Sequence, residues 1–323
     1  MPIPGGPESG SVPLVSVAIT AFNSEKWLAR ALDSVLLQQA DFPIEIVIGD
    51  DCSTDGTAAV ARSYRARNPG LIRVLERSQN LGMQRNYYET FEACRGKYIA
   101  WLDADDYWTD PSKLALQIQL MEADPSISAS GHYVRAASIR GEVLRQRYPY
   151  VAPGRYGLAE IVRQNFLPSA SIVFRNGIHR DLHASFFDLA GLTDWPILVQ
   201  AALVGDIVLI DRVMAVYMLS SGSAYMSKGT VYQDTVDVLF CEQMERFLPS
   251  PWKRLARAAK GKRYESMAYV LREQGDFAAA REAALKAFRS PDLLDNVVGK
   301  SKALLAALIS EHISKLRRRK PLS

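Results

Sequence analysis

The sequence predicts an α/β protein in which helices cover both faces of a mostly parallel sheet. Strand-like and helix-like segments alternate regularly through the first hundred residues, and the strand-like segments are rich in β-branched side chains. Such alternation is typical of parallel strands joined by helical crossovers. A third observation is that polar residues follow several of the predicted strands directly, which is where parallel sheets bind their ligands.

The predicted elements follow one another in order from residue 14. A β-branched strand at residues 14–20 precedes residues 25–38, whose apolar side chains recur at helical spacing. A second strand ends before the paired aspartates at residues 50 and 51, and the next helix is stopped by Pro69 and Gly70. These and the following elements are a strand at 44–49, a helix at 57–67, a strand at 71–75, a helix at 86–94 and a strand at 98–102.

The sequence of the second half of the chain predicts fewer regular secondary-structure elements. We expect strands at 127–137 and 169–174, a helix starting near Asp194, and one long strand or a strand pair at 207–217. From residue 249 the chain is rich in Ala, Arg and Lys, and residues 264–288 resemble one tetratricopeptide-type helical hairpin. The predicted domains are a flexible leader (1–13), an α/β domain (14–248) and a helical C-terminal module with a basic tail (249–323).

Composition excludes several classes of protein. The chain has 323 residues, 48% of them hydrophobic, and a net charge of +4, which is ordinary for a globular protein and does not indicate nucleic-acid binding. Three scattered cysteines, no apolar run of the ~20 residues that a membrane span needs, and no signal-peptide pattern favour a cytoplasmic location. The basic cluster of Lys315 and residues 317–320 is either a solvated tail or a peripheral contact with an anionic membrane face, at about 1 kcal/mol per basic residue.

The most informative segment is the acidic run at residues 102–108. Asp103, Asp105 and Asp106 place three carboxylates within four residues, directly after a strand. Neighbouring carboxylates repel one another unless a cation lies among them, and Mg²⁺ and similar cations combine carboxylate with phosphate oxygens. The segment therefore predicts a metal–diphosphate site, with a simple acidic turn as the alternative.

The topology brings this segment together with two others. Right-handed crossovers place the carboxyl ends of parallel strands on one edge of the sheet. Asn23, Asp51 and the acidic run each follow a predicted strand, so we expect them to line one crevice.

These strand-end motifs together resemble the family 2 glycosyltransferases, which have a GT-A, Rossmann-like fold. The motifs stand in the family's order, and the resemblance covers about residues 14 to 225. They are VAITAFN at 17–23, GDDCSTDGT at 49–57, NLGMQRN at 80–86, LDADD at 102–106, GLTDWP at 191–196 and DRVMAVY at 211–217.

The resemblance implies roles for individual residues. Asp105 would hold Mg²⁺ or Mn²⁺, Asp103 would contact the ribose, and Asp51 would contact the nucleobase. Asn23 and Glu25 would lie near the nucleotide, although Asn23 is equally explained as a turn residue and Glu25 as a first-turn helix acid.

Two further residues are candidates for the site. Arg85 could pair with the diphosphate, because a guanidinium matches phosphate oxygens; an exposed helix arginine is the alternative. Asp194 lies in the segment that resembles the family's acidic base motif, so the resemblance makes it the candidate general base that accepts the proton of the acceptor hydroxyl. Its alternative role is a helix N-cap before Pro196.

The implied function is inverting, metal-dependent transfer of a sugar from a nucleotide-sugar donor to a glycan or lipid-linked acceptor, in surface polysaccharide assembly. A nucleotide-binding scaffold protein without transfer activity is the alternative. Two departures from the family pattern bear on it: Ser220 follows the last motif where the family often has a histidine that assists the metal, and Cys52 replaces a glycine.

Overall fold

The computed structural model describes residues 12–138, 140–182, 194–219, 228–290 and 305–306. Four parts of the sequence that were discussed above lie outside these ranges: most of the predicted leader, the motif residues 191–193, Ser220 and the basic C-terminal cluster. The described chain divides into two compact units, one holding the sheet and the other holding the C-terminal helices.

Ten strands of the described chain form one mixed sheet. The neighbouring strands run in the order β3-β2-β1-β4-β9-β6-β10-β5, with β7 on β6 and β8 on β10. β1 lies between β2 and β4 and is parallel to both, whereas β9 is antiparallel to β4 and β6. The strands are β1 (Val15–Ala21), β2 (Ile44–Asp50), β3 (Ile72–Glu76), β4 (Tyr98–Asp103), β5 (Tyr107–Trp108), β6 (Ile127–Ser138), β7 (Val143–Tyr148), β8 (Gly154–Tyr156), β9 (Val173–Arg175) and β10 (Asp206–Leu219).

The helices differ from prediction mainly at their starts. α1 begins at Leu28 because residues 24–27 form a turn, in which Trp27 and Leu28 donate to the Ser24 carbonyl. The sequence did not predict α4, α5 or α7. The helices are α1 (Leu28–Leu36), α2 (Thr57–Arg67), α3 (Met83–Glu92), α4 (Lys113–Ala123), α5 (Leu158–Arg163), α6 (Asp194–Val204), α7 (Thr230–Phe247), α8 (Trp252–Glu273) and α9 (Phe277–Arg289).

The complete burial of the central strands explains why they could be predicted from the sequence. Every residue of β1 and β2 is buried, so each of these strands is covered on both sides. Strands buried on both faces are apolar almost throughout, which is the signal that the sequence carries. Residues 207–217 belong to the single strand β10, which agrees with the long-strand alternative. One detail was predicted differently: residues 169–171 form a 3-10 turn that shortens β9.

The second unit is helical. Ion pairs join α7 to α8, with Glu245 3.0 Å from Arg257 and 2.6 Å from Lys260. α8 and α9 form the predicted hairpin around buried alanines such as Ala268 and Ala284. The predicted domain boundary at residue 249 stays a prediction. Within the described ranges, no helix is both long and apolar enough to cross a membrane.

Candidate functional site

The carboxyl ends of β1, β2 and β4 meet at one edge of the sheet. Thr20 of β1 lies opposite Asp103 of β4, and Ala21 lies opposite Asp50 of β2. Just beyond the strands, the Asp51 N–H donates to the Ala21 carbonyl at 2.9 Å. Asp51 and Asp103 therefore flank β1 at the same edge, which is the arrangement that the topology predicted.

The carboxylate of Asp103 is held by four hydrogen-bond donors. Its Oδ1 accepts from Thr20 Oγ1 at 3.2 Å, from Trp101 Nε1 at 3.2 Å and from the Tyr87 hydroxyl. Its Oδ2 accepts from Ser169 Oγ at 2.6 Å. Burial and the charge of Asp103 raise the pKa of Tyr87 well above its usual value, so the phenol stays a donor. The side chain of Asp103 is thus fixed in one orientation.

Asp105 and Asp106 continue the same turn, in which the Asp106 N–H donates to the Asp103 carbonyl at 3.0 Å. Asp106 is only 1% exposed. Its Oδ1 accepts from the Met218 N–H of β10 at 2.7 Å, and its Oδ2 has no hydrogen-bond partner among the described residues. Burial raises the pKa of Asp106 well above its usual value, and the charges of Asp105 and Asp103 add to this. Asp106 therefore joins the acidic turn to β10.

The acidic turn fits a cation that brings further ligands with it. Among the described residues, no group of three or more His, Cys, Asp or Glu side chains converges on a metal position. Mg²⁺ is commonly held by only one or two carboxylates together with substrate phosphates. Oδ2 of Asp106 has no hydrogen-bond partner among the described residues, and the charges of Asp103 and Asp105 oppose its ionisation, so a cation placed here would be favourable. Asp105 is the candidate protein ligand, and a bound cation would stabilise the charge of a departing diphosphate.

Asp194 is the first residue of α6 and lies close enough to Asp103 for the two carboxylates to interact electrostatically. Its Oδ1 accepts from the Trp195 N–H at 2.8 Å, and the side chain of Asn165 also hydrogen-bonds to it. Burial, with a smaller contribution from Asp103, raises the pKa of Asp194 to about 6. The bond to Trp195 agrees with a role at the helix start, and the raised pKa suits a general base that works near neutral pH.

Tyr217, near the end of β10, is influenced by the charges of these carboxylates. Burial raises the pKa of its phenol well above the usual value, and the charges of Asp106, Asp194 and Asp103 contribute. All three carboxylates therefore lie within electrostatic reach of one side chain. The sequence placed Tyr217 in a family motif but predicted no role for it.

Asn23 and Glu25 both bind the turn at residues 53–56. Asn23 has φ 49°, and its Oδ1 accepts from the Thr54 N–H at 2.9 Å. Glu25 Oε2 accepts from the Gly56 N–H at 3.1 Å. These contacts support the turn role for Asn23, and the predicted nucleotide contacts of both residues stay predictions.

Asp51 fixes the loop that leads into α3. It is buried, and its two carboxylate oxygens accept from the Leu81 N–H at 2.7 Å and from the Gly82 N–H at 3.0 Å. These bonds explain why α3 begins three residues before its predicted start. The contact of Asp51 with a nucleobase stays a prediction.

Arg85 lies on α3 with 60% of its side chain exposed, 3.7 Å from Glu89. This position supports the exposed-arginine alternative, and its contact with a diphosphate stays a prediction. The question of whether Ser220 replaces a histidine falls outside the described residues.

Sequence reasoning missed all four residues that donate hydrogen bonds to Asp103, which are Thr20, Tyr87, Trp101 and Ser169. Thr20 ends the first predicted strand, so parallel pairing with the fourth strand could have placed it there. Tyr87 and Ser169 had no such signal, since Ser169 reaches Asp103 across 66 residues of chain.

The class of fold is identified by comparison with solved structures. Two solved structures share it: TarS from S. aureus in complex with UDP-GlcNAc (TM-score 0.63, 17% identity, 93% of this chain and 91% of that one) and the mannosyltransferase PcManGT from Pyrobaculum calidifontis in complex with GDP-Man and Mn²⁺ (TM-score 0.60, 17% identity, 99% and 92%). The fold is therefore GT-A, as the sequence predicted.

The chain belongs to glycosyl transferase family 2, whose model matches residues 16–183. An uncharacterized protein of Mycobacterium tuberculosis is 32% identical over 204 residues, which are 63% of this chain and 58% of that protein. A putative teichuronic acid biosynthesis glycosyltransferase of Bacillus subtilis is 33% identical over 126 residues, 38% of this chain and 48% of that protein. The matches thus span about half to three fifths of these relatives.

Proposed function

We propose that this protein is an inverting, metal-dependent glycosyltransferase that moves a sugar from a nucleoside-diphosphate donor to an acceptor hydroxyl. One observation carries the proposal: Asp194 at the start of α6, whose pKa is about 6, lies within electrostatic reach of Asp103, the last residue of β4. A candidate base and a candidate donor-binding cluster therefore occupy the same site, which is the pair that sugar transfer requires.

The donor half of the site is the edge formed by β1, β2 and β4. The fixed carboxylate of Asp103 would accept a hydrogen bond from a ribose hydroxyl, and Asp51 would contact the base of the nucleotide. Asn23 and Glu25 would shape the nearby turn, and Arg85 would approach the diphosphate. Solved proteins of this fold bind UDP-GlcNAc or GDP-Man, which supports a nucleotide-sugar donor here. Mg²⁺ or Mn²⁺ at Asp105 is the proposed cofactor.

The acceptor half centres on Asp194. An acceptor hydroxyl is a weak nucleophile, and transfer of its proton to the Asp194 carboxylate makes its oxygen reactive as the new bond forms. Attack from the side of the sugar opposite the diphosphate inverts the anomeric centre, by the logic that separates inverting from retaining glycosidases. The leaving diphosphate departs toward the acidic turn.

The biological setting is proposed from relatives. Their names include teichuronic acid biosynthesis in Bacillus subtilis and succinoglycan biosynthesis in Rhizobium meliloti, which supports assembly of a surface polysaccharide on a glycan or lipid-linked acceptor. A cytoplasmic location with contact at the inner membrane face belongs to the same proposal.

A binding screen followed by a turnover assay tests the function. Nucleoside diphosphates that bind the native protein raise its melting temperature, and we expect one of them to do so only with Mg²⁺ or Mn²⁺. Asp105→Ala should abolish this metal-dependent shift. Asp194→Asn should keep the shift and lose transfer, whereas the matched control Asp211→Asn, at an exposed aspartate paired with Arg147, should keep both.

Two outcomes would contradict the proposal. Nucleotide binding without turnover on any glycan or lipid-linked acceptor would support the scaffold alternative. A metal-dependent shift that survives in Asp105→Ala would remove the proposed metal ligand.

A further inference from the structure

Helix α1 and the residues directly after it present three polar side chains to the chain segment that contains the acidic turn. Arg30, Ser34 and Gln38 recur every four residues, so they follow one face of α1 and its C-terminal end. We call these three residues the α1 stripe. Each of them hydrogen-bonds to backbone in residues 105–114, so the stripe fixes the path of that segment.

The contacts of the stripe are spread along the segment. Arg30 Nη2 donates to the Asp105 carbonyl at 3.1 Å, and the Trp108 N–H donates to Ser34 Oγ at 3.1 Å. Gln38 donates through Nε2 to the Asp110 carbonyl at 2.8 Å and accepts from the Leu114 N–H at 3.1 Å. Arg30 is therefore the member of the stripe that reaches the acidic turn itself.

The guanidinium of Arg30 is held in place by aromatic rings. Its Cζ lies 4.1 Å from the ring centroid of Tyr107 and 5.4 Å from that of Trp27. Its Nε is buried without a hydrogen-bond partner among the described residues, so Arg30 reaches the acidic turn through a terminal nitrogen of the guanidinium, Nη2. A planar guanidinium has fixed donor directions, and stacking on Tyr107 aims one of them at the Asp105 carbonyl.

We propose that Arg30 is a positioning residue for Asp105. By bonding the Asp105 carbonyl from α1, it holds the turn in the conformation that presents the Asp105 carboxylate to a cation bound with a nucleoside diphosphate. This inference rests on the proposed function and adds to it a residue outside the family motifs.

The charge of Arg30 has the opposite effect on cation binding. Its positive charge opposes the rise in the pKa of Asp106, so it lies close enough to the carboxylates to repel an incoming cation. If Arg30 acted only through charge, its removal would strengthen cation binding. If Arg30 acts by positioning, its removal weakens cation binding, so the direction of the change separates the two roles.

Calorimetric titration of Mn²⁺ into the full chain, at one fixed concentration of the nucleoside diphosphate that the wild type binds and with the same titration into the nucleotide alone subtracted, provides the test. We expect Arg30→Lys and Arg30→Met each to raise the Kd for Mn²⁺ about tenfold, because lysine keeps the charge but lacks the aimed fork. Tyr107→Leu removes the stacking surface and should raise the Kd in the same direction, about threefold. This second site keeps the inference testable if an Arg30 variant does not fold.

Gln38→Ala is the control for a purely structural effect. Gln38 is buried and loses two backbone hydrogen bonds in this variant, so its melting temperature should fall further than that of Arg30→Lys. Its partners lie beyond β5, and the Kd for Mn²⁺ should stay within about twofold of the wild type.

An unchanged or lower Kd in Arg30→Lys would overturn the positioning role. So would a Kd that rises in proportion to the loss of melting temperature across Arg30→Lys and Gln38→Ala. A wild type that binds no Mn²⁺ with any nucleoside diphosphate would overturn the proposed function, and this inference with it; Mn²⁺ binding that Arg30→Lys leaves intact overturns the inference alone.

Discussion

Replacing Asp194 by asparagine should remove activity and increase stability at the same time. The pKa of Asp194 is raised from 3.8 to about 6, mainly by burial, so the folded protein pays to keep this carboxylate charged at neutral pH. Asparagine has nearly the same shape and can still accept from the Trp195 N–H, but it carries no charge.

The expected size follows from linkage. A shift of about two pKa units corresponds to about 3 kcal/mol, and partial exposure of Asp194 reduces this to about 1–3 kcal/mol. The folded-state pKa lies above the unfolded one, so the native chain holds a proton that the unfolded chain has lost between about pH 4 and pH 6. Asp194 therefore destabilises the protein as pH rises through this window, and the cost is complete above about pH 6.5.

Urea denaturation of wild type and Asp194→Asn, followed by tryptophan fluorescence, measures this cost. We expect the variant to be more stable at pH 8, with about half of that gain at pH 5. Sugar transfer in the same variant should fall at least a hundredfold, the lower range for loss of a general base. A variant that is less stable than the wild type at pH 8, or whose gain does not depend on pH, would refute the explanation by burial of a charge.

Three other predictions concern Asp194, Asp51 and Glu45. For the wild type, log(kcat/KM) should fall on the acid side with an apparent pKa near 6, since the base must be ionised; a pH profile that is flat from pH 5 to 8 would exclude Asp194. Asp51→Ala leaves two backbone N–H groups of the loop before α3 without acceptors and should cost about 2–4 kcal/mol in urea denaturation, with weaker nucleotide binding in the same samples. Glu45→Gln, at the opposite edge of the sheet, removes the charge of a buried carboxylate that lies 2.8 Å from the half-exposed guanidinium of Arg95; it should cost about 1–3 kcal/mol and leave KM for the donor unchanged, so a raised KM would show that the two edges are coupled.

The first half of the fold could be predicted from sequence because its signals are local. β1 and β2 are buried along their whole length, and α2 has the bounds that its apolar spacing and the following Pro69 indicate. The rules of parallel topology then place Asp51 and Asp103 at one edge without any knowledge of side-chain contacts.

Helices α4 and α7 were missed because polar residues are buried in them. α4 starts with Lys113, which is fully buried, with its amine 2.8 Å from Gln117 Oε1 and 4.1 Å from the ring centroid of Trp108. Burial lowers the pKa of this lysine well below its usual value. In α7 the buried Asp237 pairs with Arg263 of α8 at 3.0 Å. A local pattern interprets such charged residues as exposed, because their partners are distant in sequence.

The carboxylates of the site could be predicted from the sequence, but the side chains that hold them in place could not. Asp103, Asp105 and Asp194 stand in recognisable motifs, but the hydroxyl of Ser169 and the guanidinium of Arg30 reach the acidic turn from other elements. Those two contacts depend on how the chain folds over tens of residues, and no spacing in the sequence encodes them.

A crystal structure of the full chain with Mn²⁺ and the nucleoside diphosphate identified by the binding screen tests the central claim most directly. The account predicts an anomalous manganese peak about 2.0–2.2 Å from an Asp105 carboxylate oxygen and from oxygens of the diphosphate. It also predicts the ribose beside Asp103 and the base of the nucleotide beside Asp51. Manganese and nucleotide bound away from this edge of the sheet, with Asp105 contacting neither, would contradict it.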